Sequence, residues 1–222
     1  MDIQVKGQES AEYLISEANG YRSREAVTVT VPASTTLAAG TILGKITTGG
    51  ATVVADAGNT GGGSLTLDAT TPVLAGAQVG DYTATCIVAA AAGGTFRVEN
   101  PDGVVMGDVD VGVAFADKIA FTINDGTPDF AVGDLFTVTV AAGSGKFVRH
   151  SADAIDGSQN EAAILYETLA NTTVAAVDNT VTATVRDSEV SGEELTYEVG
   201  ADAAQITASD AALKALGIIV RR

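Results

Sequence analysis

A chain of 222 residues with 25 glycines, four prolines and no tryptophan has room for one large or two modest domains. Its wealth of Thr, Val and small residues favours strands and tight turns over long helices. Twenty-eight acidic residues against twelve Lys and Arg leave a formal net charge of −16, which argues against nucleic acid or an anionic membrane as a partner and suits a surface kept soluble at high concentration.

The single cysteine rules out an internal disulfide. The opening MDIQVKGQES has no basic start followed by an apolar run. No apolar run approaches the ~18 residues of a spanning helix. A soluble chain made in a cytoplasm is therefore expected. Residues 1–26 show no sustained periodicity, and their large apolar side chains after Val5 are Tyr13, Leu14, Ile15 and Tyr21. Two readings fit: a frayed terminus, or an arm that orders on a partner through those side chains together with Arg22 and Arg24. Val27, Val29 and Val31 alternate with Thr28 and Thr30 in a strand ended by Pro32. Thr41–Thr47 reads as a second strand after a turn at Gly40. Gly40, Gly44 and Lys45 lack the spacing and the Ser or Thr of a phosphate-binding loop, as does Gly143-Ser144-Gly145-Lys146, so all read as turn glycines.

Residues 49–63 read as a glycine-rich linker. Short half-buried strands follow, carrying Leu65 and Leu67; Tyr82, Ala84, Cys86 and Val88; Phe96 and Val98; Val105, Val109, Val111 and Val113; Ile119, Phe121 and Ile123; and Phe136, Val138 and Val140. With no helical stretch among them they point to a small antiparallel sandwich or barrel. Residues 49–145 hold eleven carboxylates against Arg97 and Lys118, a net −9, as expected of a surface solvated on nearly every side. Lys146–His150, Ala162–Glu167 and Thr180–Arg186 read as further strands. Ser209-Asp210 and Gly217 bracket a short helix that could start as early as Ala201, and Gly217–Val220 reads as a terminal strand. Omitting everything between Thr47 and Lys146 joins two strands that need only a tight turn, so the chain reads as a hairpin opened at its tip to take a second domain.

Chemistry is sparse. His150 is the only histidine, so triads and His-based metal sites lack their parts, and it reads as a partly exposed turn residue. Cys86 sits on an apolar face with no basic neighbour in sequence. Asp108 with Asp110, and Asp125 with Asp129, lack the ligand spacing of a calcium loop. Asn171-Thr172-Thr173 matches a glycosylation acceptor of the kind that occurs by chance. No catalytic residue, metal ligand or cofactor is expected, and no enzymatic activity.

The blocks YLISEANGYRSREAVTV, LAAGTILGKIT, KFVRHSADAIDGSQNEAAILYE, ATVRDSEVSGEEL and LKALGIIVR, in that order, resemble the lambda-type head decoration proteins of tailed bacteriophages. The resemblance covers roughly residues 11–48 and 146–222. It implies a compact mixed α/β decoration core, residues 26–48 and 146–222, which agrees with the strands and single short C-terminal helix expected there; the chain as a whole is then mainly β, its α+β core interrupted by the inserted all-β, sandwich-like domain over 49–145, which is read from the residues and which simple decoration proteins lack. It implies a homotrimer on the outer surface of the virion, bound to the major capsid protein at three-fold positions and stabilising the expanded head, after synthesis in the bacterial host cytoplasm. Residues 1–25 then become a capsid-binding arm with Tyr13, Leu14, Ile15, Tyr21, Arg22 and Arg24 as its contacts, disordered until docked and removable without loss of folding. The alternative is a carbohydrate- or host-surface-binding β module displayed on the virion, which calls for clustered exposed aromatics.

Overall fold

The computed structural model describes residues 7–222, apart from the side chain of Tyr21. The fold is mainly β with one short helix near the C-terminus. In chain order come β1 (Leu14–Glu17), a 3-10 turn (Asn19–Tyr21), β2 (Arg24–Val31), β3 (Thr35–Leu37) and β4 (Ile42–Lys45). Next are β5 (Thr48–Ala55), β6 (Ser64–Leu67), β7 (Gly80–Ala90), β8 (Gly93–Glu99), β9 (Val105–Asp110), β10 (Ala114–Ala116), β11 (Ala120–Asn124) and β12 (Leu135–Ala142). The last set is β13 (Phe147–Arg149), β14 (Glu161–Leu165), β15 (Leu169–Asn171), β16 (Val177–Thr184), β17 (Ser188–Ser191), α1 (Ala203–Ala215) and β18 (Ile218–Arg221). These elements form two compact units, Met1–Ile46 with Gly145–Arg222, and Thr47–Ser144.

The first unit is built on a closed five-stranded barrel in the order β13-β2-β16-β14-β4. The Val/Thr alternation of β2 sends Val27, Val29 and Val31 inward, and β16 pairs along its whole length, from Val31 opposite Val177 to Arg24 opposite Thr184. Leu43, Phe147, Ala163, Leu165, Val181 and Ala183 complete the interior, small and large side chains together filling a narrow barrel. β4 and β14 are buried on both faces. Leu43, Ala163 and Leu165 face the barrel, while Ile42 and Ile164 face a second cluster with Tyr13, Val190, Leu195, Leu213 and Ile218. Their unbroken apolar runs follow from that double burial. The second cluster is covered by a sheet in the order β1-β17-β18 and by α1. Gly44 is a strand residue and not a turn glycine: a Cβ there would lie 2.0 Å from the Ser158 carbonyl oxygen. Gly40 does turn the chain, with φ +82°.

Several expectations are revised here. α1 begins at Ala203, close to the early start near Ala201 and not at Ser209-Asp210, because Asp202 and Gln205 form a capping box that satisfies first-turn N–H groups. His150 is 9% exposed, its ring held near the Gln159 carbonyl and Glu161. Asn171 is buried as well, its amide donating to the carbonyls of Val31, Pro32 and Ala175, so the glycosylation match marks a structural asparagine.

In the second unit a five-stranded sheet, β5-β12-β7-β8-β9, and a three-stranded sheet, β10-β11-β6, share one core of Tyr82, Phe96, Ile119, Phe121, Ile123, Phe130 and Phe136 among others. Much of the stretch read as a linker is strand: β5 pairs with β12 from Thr48 to Ala55. Its glycines and alanines hid a ladder position that needs main-chain groups and few side chains. Two bulges break the expected faces. The register shift between Cys86 and Val88 leaves Val88 exposed, and the one between Val98 and Glu99 separates exposed Val105 from buried Val109. Burial pushes the Cys86 thiol up, as for a small core hydrophobe.

Asp134 clasps the loop after β5. Its carboxylate accepts from the main-chain N–H of Thr60 (2.8 Å), Gly61 (2.9 Å) and Ala131 (2.9 Å). Burial works against its charge, but these donors outweigh burial and hold its carboxyl below the usual carboxylate range. Asp134→Asn replaces an oxygen acceptor with a donor facing N–H groups, and should cost about 1–3 kcal/mol in urea unfolding of the full chain. A depressed folded pKa contributes stability above the unfolded value, about pH 4, that is lost as pH falls through the folded one. The wild type should therefore lose more stability than Asp134→Asn on acidification from pH 5 to pH 2, and parallel losses would show that the clasp does not matter.

Candidate interaction surface

The six residues expected as contacts occupy three kinds of place. Tyr13 is in the core, 1% exposed, with its hydroxyl 2.7 Å from Thr184 Oγ1. Burial pushes its phenol pKa well up, so the ring stays neutral. Leu14 packs beside it against the second cluster of the first unit. Arg24 is also held inside the first unit: its guanidinium lies 4.6 Å over the Tyr166 ring, and its Nε donates to Glu17 Oε2 at 2.8 Å. Ser23 Oγ donates to the same Glu17 oxygen at 2.5 Å. These donors, Ser23 first and Arg24 next, keep Glu17 ionised below the usual range. The expectation of an arm without burial of its own is therefore corrected. No local periodicity announces Tyr13, because one large side chain, placed by long-range strand pairing, does the work of a patterned face.

Ile15 and Arg22 are the exposed members. β1 pairs antiparallel with β17, Leu14 opposite Val190 and Ser16 opposite Glu189, and the bulge between those pairs leaves Ile15 unpaired and 56% exposed. Arg22 reaches Asp187 at 3.0 Å while 73% of its side chain stays in solvent. The Tyr21 side chain lies outside the described residues. β1 ends its sheet, so its outer edge faces no other strand among the described residues, a template for strand addition. Around it stand exposed ion pairs, Arg22–Asp187, Arg186–Glu25 and Arg221–Glu189. Exposed pairs of this kind contribute about 0–1 kcal/mol each and can exchange partners at little cost.

Among the described residues no group of three or more His, Cys, Asp and Glu side chains converges as a metal site. In the second unit Asp108 is held low by Arg97, which donates to it at 3.0 and 3.1 Å, and Asp110 accepts from Thr95. Clustered exposed aromatics are not found in the second unit: of its aromatic rings Tyr82, Phe96, Phe121, Phe130 and Phe136 are buried, and Phe115 stacks on Phe121 at 5.1 Å. Among the described residues no helix is long and apolar enough to cross a membrane.

If Tyr13 anchors the N-terminal strand, Tyr13→Phe should cost about 1–2 kcal/mol by stranding the buried Thr184 hydroxyl. Tyr13→Ala should cost about 3–5 kcal/mol by opening a cavity. Equilibrium denaturation of both variants checks the order, and a neutral Tyr13→Ala would return these residues to the status of a loose arm.

Two crystal structures of Xanthomonas campestris FlgL, in space groups H3 and C2, align at 23% and 24% identity over 46% and 47% of this chain, with a TM-score of 0.31 each. The aligned part is 33% of either FlgL chain, and a likeness this low carries no argument about fold or function. No curated protein matches the chain. The family model described as bacteriophage lambda head decoration protein D matches residues 3–66 and 62–218, a span that takes in both units, and the chain accordingly belongs to the bacteriophage lambda head decoration protein family.

Proposed function

We propose that the chain is a non-enzymatic cement subunit: it trimerises, binds the outside of the expanded head at three-fold positions through its contact with the major capsid protein, and stabilises the shell. The observation that carries this reading is the family match along nearly the whole chain. The trimer, the three-fold position and the contact residues are our extension of it. The first unit supplies the docking face. Tyr13 and Arg24 position β1, while Ile15, Arg22 and the open β1 edge make the contact, main-chain hydrogen bonds giving affinity and the two side chains selectivity. Multivalent docking by three copies would offset the modest strength of one such strand contact. Residues 47–144 are then a displayed passenger domain inserted into the decoration core. A sugar-binding role for that domain has less support, because its rings are used in its own packing.

Purified expanded heads lacking the protein should bind it saturably and in fixed ratio to the major capsid protein. Light scattering should give the mass of three chains. The double variant Ile15→Asp with Arg22→Glu should keep the wild-type melting temperature and lose at least tenfold in head affinity, about 1.4 kcal/mol or more. Full retention of binding by that variant would move the contact away from β1.

A further inference from the structure

In the first unit a cavity of about 330 Å³ opens between α1, the segment running from His150 to Glu161 and the turn after Tyr197. The α1 wall carries Ala208 and Ala212 together with Gln205 and Ser209. The rest includes His150, Glu161, Tyr197 and Glu198. The two carboxylates differ. Glu198 is supplied with donors, the Ala152 N–H at 3.0 Å first and the Ser151 hydroxyl at 2.8 Å next, and these hold it ionised below the usual range. Glu161 is not. Its side chain is only 11% exposed, and the nearest donor among the described residues is His150 Nε2 at 3.4 Å. That same nitrogen lies closer, 3.1 Å, to the carbonyl oxygen of Gln159. One N–H directed at the carbonyl leaves the carboxylate with a long, shared contact.

A carboxylate that lines a cavity and has only a long, shared contact with a donor is matched best by a charged donor, whose hydrogen bonds to it are short and strong. We infer that this cavity seats a guanidinium or ammonium head carried on an aliphatic stem, delivered by a basic side chain of the shell protein. The head pairs with Glu161 and the stem lies along the alanines of α1, as long basic side chains do on apolar walls. The chain's −16 charge favours approach of a basic partner over an acidic one. The identity of the partner rests on the head-binding reading; the chemistry of the cavity does not.

The test therefore has two arms on the full chain. In the first, n-butylguanidinium and the neutral n-butanol are titrated separately while amide resonances are followed by NMR. Butylguanidinium should shift Ala152, Glu161, Ala208 and Ala212 saturably, butanol at least tenfold more weakly, and Glu161→Gln should abolish the difference. Equal response to the two probes, or none to butylguanidinium, overturns the cavity assignment whatever the heads do. In the second, binding to heads is compared for wild type, Glu161→Gln and Ala208→Leu, the last blocking the cavity from the exposed side of α1 and so independent of any folding defect at Glu161. Both variants should bind heads at least tenfold more weakly. Wild-type affinity in Ala208→Leu, or no head binding by the wild type itself, overturns the shell protein as the source of the basic side chain, and the second of these outcomes also overturns the proposed function.

Discussion

Closure of the barrel at Phe147 is the constraint on which the first unit depends. β13 is three residues long, yet it bridges β2 and β4: Phe147 lies opposite both Val29, in parallel, and Lys45, in antiparallel. Without it the sheet would end at β2 on one side and β4 on the other, leaving two unpaired edges. The bridging strand comes from the far side of a stretch of about a hundred residues, so the ring closes only when the chain returns to the point it left. Main-chain bonds fix that return, Ile46 N–H to Lys146 O at 2.9 Å and Gly145 N–H to Ile46 O at 3.0 Å. Strand ends held side by side in this way can be joined by two residues or by a domain, because loop-closure cost grows only slowly with length.

The second consequence of the barrel lies outside it. β4 and β14 turn one face to the barrel interior and the other to Tyr13, Leu213 and Ile218, so two strands are shared by two apolar clusters. The N-terminal strand, β17, β18 and α1 are all assembled on that outer face. Removing β1 would therefore uncover Ile42 and Ile164 as well as free a terminus. The same packing stiffens the face proposed for docking: Ile15 and Arg22 stand on segments whose neighbours Tyr13 and Arg24 are tied down.

Legibility in the sequence followed the kind of interaction. Where one face is buried and the other wet, period two is plain: Val27, Val29 and Val31 in β2, and Phe96 with Val98 in β8, lie buried as that alternation implies. Thr41–Thr47 and Ala162–Glu167 were recognisable as strands although their double burial removes the alternation. What the residues did not announce was set at long range. Gly44 faces Ser158, and the polar segment Ser188–Ser191 is a central strand only because β1 and β18 flank it. His150 is buried by its own downstream loop. The capping box at Asp202 and Gln205 is a local signal of the helix start that a reading from Ser209-Asp210 passes over. The N-terminal segment followed the same division: its large and basic side chains stood out as unusual for a tail, but nothing local told exposed Ile15 and Arg22 from packed Tyr13, Leu14 and Arg24, and the cavity beside Glu161 exists only once α1 and the His150 segment have met.

The central claim is that the barrel and its outer layer are complete in themselves and carry the head-binding role. The direct measurement is head binding and cooperative unfolding of a chain in which residues 47–145 are replaced by Asn-Gly, a pair suited to a two-residue hairpin between Ile46 and Lys146. The account predicts a single cooperative transition and wild-type affinity for expanded heads. An insoluble or non-cooperative product, or a folded one that no longer binds heads, would contradict it.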